Sequence, residues 1–182
     1  MAIYNIYLGE IGNTGLTAEE KNGVKTKLEG WFGKIVDAAD SALCTWTSSA
    51  PSSIQDHEML VYFVKSSGSD SILRVMPGNT AGAGSGNGMT VFGGNLTGSE
   101  VYVSSSKSGL SELTFHELMH NKLHLDDANL HKKDGLAVKT VPLGGKPSDK
   151  NIADMKAALK NKNKQWTGGW TAFSDPLNGY LP

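Results

Sequence analysis

Cys44 is the only cysteine in 182 residues, so no disulfide can form within the chain and a disulfide-stapled scaffold is excluded. Arginine is as scarce. Arg74 stands alone, and without guanidinium forks the chain is poorly equipped for bidentate phosphate recognition. The net charge of −1 gives neither nucleic acid nor a membrane surface a reason to bind. Nine of the sixteen lysines lie from Lys132 onward, which reads as a solvated face. No stretch approaches the ~18 consecutive apolar residues needed to cross a bilayer. The opening Met1–Glu10 has neither the basic start nor the apolar run of a signal peptide. The expectation is a soluble monomer, cytoplasmic or exported without a cleaved leader. One further absence matters below: no glutamate follows Glu117.

What is present suits one domain over residues 1–182, with 38% hydrophobic residues and 22 glycines pointing to a compact, loop-rich fold. Ile3–Leu8 reads as an opening strand. Thr17-Ala-Glu-Glu20 is a capping box, and Val24, Leu28, Trp31 and Ile35 follow at helical spacing, which predicts a helix to about Asp40. Glu58–Val64 reads as a buried strand and Ser71–Met76 as another, ended by Pro77. The Gly-rich stretch 77–98 lacks the spacing of a phosphate-binding loop and reads as a surface loop. Glu100–Ser104 alternates like a strand with one exposed face. A closing helix starts at Ser148 or Asp149, with Ile152, Met155 and Leu159 inward. The tail 165–182 is aromatic and irregular. The predicted class is α/β (α+β), a small sheet with an N-terminal helix, a central helix and a C-terminal helix.

The central helix carries the chemistry. Residues 116–120 read His-Glu-Leu-Met-His. On a helix, residues four apart share a face, so the imidazoles of His116 and His120 can converge on one metal ion. Glu117 lies about 60° around the helix from His120. There it can reach a metal-polarised water without ligating, the place of a general base. Ser108 is a candidate cap, and no Pro or Gly interrupts 110–125.

Catalytic zinc usually has a third protein ligand. His124 lies eight residues from His116, about 12 Å along the axis, too far to share their ion. A downstream glutamate does not exist. Asp126, Asp127, His131 and Asp134 remain, with Asp149 and Asp154 as outsiders.

Over roughly residues 100–160 the chain resembles a small metzincin. That family carries H-E-x-x-H-x-x-G-x-x-H or, in the snapalysin-like group, the same pattern ending in Asp. Aligned on His116, the final position falls on Asp126, so the resemblance implies zinc bound by His116, His120 and Asp126, with Glu117 catalytic. Gly135-Leu-Ala137 stands where such proteins place their Met-turn, and 148–155 resembles their closing helix. Two positions depart from the pattern: Leu123 stands in place of Gly, and Ala137 in place of Met. The implied function is a zinc metallopeptidase acting on peptide or protein substrates, which would add as a strand along 101–105. The alternative is a zincin-fold binding module or delivered effector whose metal is structural or lost.

Overall fold

The computed structural model describes residues 1–48, 58–65, 87–93, 96–123 and 125–160. The expected strand at Ser71–Met76, His124 and the 165–182 tail lie outside these residues. Among the described residues, five strands form one sheet in the order β2-β1-β3-β5-β4. They are β1 (Ile3–Ile11), β2 (Ser41–Trp46), β3 (Met59–Lys65), β4 (Gly88–Gly93) and β5 (Leu96–Val103). The first four in space run parallel, and β4 closes one side antiparallel to β5. Four helices accompany them: α1 (Ala18–Phe32), α2 (Leu110–Leu123), the single turn α3 (Asp127–Leu130) and α4 (Asp149–Lys160).

The helix α1 begins as its capping box dictates. Glu20 N–H donates to the Thr17 hydroxyl at 3.2 Å, and Thr17 N–H donates to the Glu20 carboxylate at 2.7 Å. It stops at Phe32, short of the expected Asp40. Lys34 and Ile35 take i−3 bonds to Trp31 and Phe32 at Gly33, which tightens the chain into a turn. Ile35 stays buried all the same, so its helical spacing reported burial and not helix. The parallel strand β2 follows. Its alternation is weak because Ala42 and Cys44 face inward with little apolar bulk, and the sequence pattern gave no warning of it. Burial pushes the Cys44 thiol up to about 12, which leaves it inert packing.

Two expectations fail together at the far side of the sheet. Gly88–Gly93, assigned to a surface loop, is the strand β4, where Thr90, Val91 and Phe92 supply β-forming residues between glycines. The stretch around 101–105, expected at the sheet edge, is therefore interior: β5 pairs β3 on one side and β4 on the other. On this side of the sheet the outermost strand among the described residues is β4.

Helices α1 and α2 pack on one another, α1 over β2 and α2 over β5 and β4. Phe115 of α2 meets Trp31 edge-on at 5.7 Å and Phe32 at 5.4 Å. Ser108 does not cap α2; its hydroxyl donates to Ser106 O. Every residue of α2 from Leu110 to Lys122 is buried. The helix is thus enclosed, not amphipathic, and its polar side chains must find partners inside the protein. Glu112 takes Lys27 of α1 at 3.1 Å, and Thr114 donates to Leu110 O at 2.7 Å. His116, Glu117 and His120 build the site, with Asn121 behind them.

Candidate metal centre

His116 and His120 leave α2 on one face, as their spacing requires. A third ring, His131, arrives from the residue that ends α3. The three could hold a metal ion, their candidate ligand atoms lying within 4.8 Å of one another. His116 Nε2 stands 3.2 Å from Nε2 of His120 and 3.2 Å from Nε2 of His131. Ligands at ~2.0–2.1 Å around a tetrahedral ion are separated by about 3.3–3.4 Å, so these two separations suit a small divalent ion.

The opposite ring nitrogens fix the tautomers. His116 Nδ1 lies 2.6 Å from Leu136 O, and His120 Nδ1 lies 2.6 Å from Leu125 O. A carbonyl oxygen can only accept, so each Nδ1 carries its hydrogen. Both Nε2 atoms then present lone pairs to each other across 3.2 Å. Burial opposes relieving that repulsion with a proton. It pushes His116 down to about 4, against the Leu136 hydrogen bond, with His120 and His131 adding to the depression. Burial lowers His120 in the same way. A cation between the rings satisfies what a proton does not.

Asp126, the third ligand implied by the family spacing, is not in the cluster. Its side chain caps α3, accepting from Asn129 N at 3.0 Å and Asn129 Nδ2 at 2.7 Å. An aspartate at a helix start is held by the free amides there, and that single turn carries His131 to the metal side instead. Leu123 in place of Gly did not extend α2, which ends at that residue. Asp134 is also engaged elsewhere, accepting from the Ser148 hydroxyl at 2.7 Å. Asp154 pairs with Lys133 and Lys150. Asp127 comes nearest of the aspartates. Its Oδ1 is 3.6 Å from His120 Nε2 and 3.7 Å from His131 Nε2, on a side chain 83% exposed.

Glu117 points between α2 and β4. Its Oε2 accepts from the Thr90 hydroxyl at 2.6 Å. Burial raises its carboxyl to about 8 despite that hydrogen bond, with the charges of Asp127 and Glu100 adding to the rise. A bound cation would act in the opposite direction.

Sequence reasoning missed the residues that support the site from other elements. Gly135 has φ +59 and packs against Asn151 and Ser148. Asn151 Oδ1 accepts from Leu136 N at 2.9 Å and Ser148 N at 3.1 Å, and its Nδ2 donates to Asp134 O at 3.1 Å. Asn151 therefore clamps the loop whose Leu136 carbonyl orients His116. It sits at the first turn of α4 as a buried Asn, a signal legible only as a polar residue on an apolar face. Asn151→Ala leaves buried amides unpaired, each costing about 1–3 kcal/mol. The expected result is a lower melting temperature and roughly 10-fold weaker metal binding, read by calorimetry and zinc titration.

No protein-family model, curated protein or solved structure matches the chain. Among the described residues, no helix is long and apolar enough to cross a membrane.

Proposed function

We propose that the chain is a zinc-dependent peptidase of the zincin kind, with His116, His120 and His131 as ligands and Glu117 as general base. The observation that carries this reading is the pair of opposed Nε2 lone pairs, held by backbone carbonyls on a helix that also presents Glu117. The third ligand would follow His116 by fifteen residues, where the metzincin pattern has ten. Zinc would supply Lewis acidity and make water acidic enough to lose a proton near neutral pH. Glu117 takes that proton as the water oxygen adds to the scissile carbonyl carbon, and returns it to the departing amine nitrogen. An extended substrate would add along β4, whose outer side carries no strand among the described residues.

The test combines occupancy with activity. The purified protein should contain about one zinc per chain and cleave fluorescein-labelled casein. Chelation with 1,10-phenanthroline should stop cleavage and lower the melting temperature, because binding to the native state alone stabilises it. A protein that melts identically with and without zinc sinks the reading.

One observation favours a non-catalytic site. Were Asp127 to ligate, the fourth position would close and the ion would be structural. Asp127→Ala separates the two: a closed site loses zinc affinity, whereas an open one keeps it.

A further inference from the structure

The edge strand reaches α2 through the Thr90 hydroxyl. Thr90 Oγ1 lies 2.6 Å from Glu117 Oε2, 3.0 Å from the Glu117 backbone carbonyl and 3.0 Å from Ser99 Oγ. Ser99, on β5, is fully buried and also stands 3.5 Å from the Glu117 carbonyl. Asn121, one turn further along α2 and itself buried, donates from Nδ2 to Ser99 Oγ at 3.2 Å. Each hydroxyl has one proton to give. An ionised Oε2 at 2.6 Å, the shortest of the Thr90 contacts, takes the one Thr90 proton, so Thr90 accepts from Ser99, and Ser99 accepts from the Asn121 amide, which can only donate. Asn121 donates to Ser99, Ser99 donates to Thr90, and Thr90 donates to the carboxylate. All the dipoles in this chain point at Oε2, and a chain aligned in this way polarises each successive bond.

The other carboxylate oxygen is treated differently. A Cβ built on Gly88 would fall 2.5 Å from Glu117 Oε1. Residue 88 faces the same carboxylate two positions before Thr90, on the same side of β4. Any side chain there would meet Oε1.

We propose that Thr90, backed by Ser99 and Asn121, is a positioning residue that pins Oε2 of Glu117 and leaves Oε1, beside Gly88, to handle the proton. This rests on the hydrolase reading above. The water O–H bond breaks and an Oε1–H bond forms, while Oε2 keeps the Thr90 hydrogen bond in both states. The oxygen pair left by the proton forms the new bond to carbon, and the proton leaves Oε1 for the amine.

Crystal structures of the zinc-loaded wild type, Thr90→Val and Thr90→Ser test this, alongside turnover of fluorescein-labelled casein. Valine keeps the shape and removes the hydroxyl. In the wild type, Oε1 should face the solvent at the metal and Oε2 should face Thr90. In Thr90→Val the Glu117 carboxylate should leave that position with zinc content unchanged, and kcat should fall roughly 10- to 100-fold with little change in KM. Thr90→Ser should restore both. A Glu117 carboxylate unmoved in Thr90→Val, an Oε2 facing the metal, or a serine variant no better than valine overturns the proposal. Absence of casein cleavage by the wild type counts against the peptidase reading, and the Glu117 position in the three structures still decides the role of Thr90.

Discussion

Replacing His131 by alanine is expected to cost the site far more metal affinity than any change at Asp126. The ring supplies one of three converging Nε2 atoms, 3.2 Å from that of His116. Losing a residue that merely orients a ligand weakens metal binding by ~10–100-fold, so losing the ligand itself should exceed ~100-fold. Asp126→Ala removes the cap of α3, which costs about 1 kcal/mol of local stability and leaves all three imidazoles in the chain. Zinc titration of the two variants, each checked for folding by circular dichroism, gives the comparison. Equal or greater loss at Asp126 would mean that the carboxylate leaves its capping bonds for the ion, and the three-histidine set would be wrong.

The second large effect is expected at Glu117. Glu117→Gln keeps the length of the side chain and its ability to accept from Thr90, but it cannot take a proton from water. The zinc content and the melting temperature should match the wild type, while turnover of casein falls by about 10²–10⁴-fold, the range a positioned proton acceptor contributes. Mass spectrometry of the metal-loaded chain and a casein assay read the two quantities separately. A glutamine variant as active as the wild type removes Glu117 from the chemistry and leaves a metal-binding protein.

The contrast between these residues explains what could be read in advance. His116, Glu117 and His120 belong to one helix, where spacing alone sets direction, so three letters of sequence place three side chains. His131 reaches the same point beyond the non-helical Leu125 and Asp126 and a four-residue helix. No periodicity connects it to His116, and the family pattern pointed to a residue five positions earlier. Asp126 matched that pattern in spacing, yet its local environment was legible as a cap: Asp126 stands three residues before Asn129, at the start of a helical turn. The fold divides similarly. The capping box at Thr17 and the apolar stripe of α4 are local signals, and both helices start where expected, although α1 ends early. β4 was obscured because glycine-rich surroundings hid a short run of strand-forming residues, and its pairing with β5 is not a property of either segment alone. Thr90, Ser99 and Asn151 join the site through such pairings, which a linear pattern does not carry.

The enclosure of α2 has a consequence for how the protein comes apart. Its buried polar groups are answered by α1, β4, β5 and the loops that supply the Leu125 and Leu136 carbonyls. No subset of these neighbours can detach without stranding a donor, an acceptor or a charge. The helix therefore has no private route of fraying, and the amides at its middle exchange with solvent only when most of the domain opens. If the three histidines hold zinc, as proposed, removing it should destabilise the whole domain and not α2 alone, and exchange at the middle of α2 should quicken together with exchange at the slowest amides elsewhere.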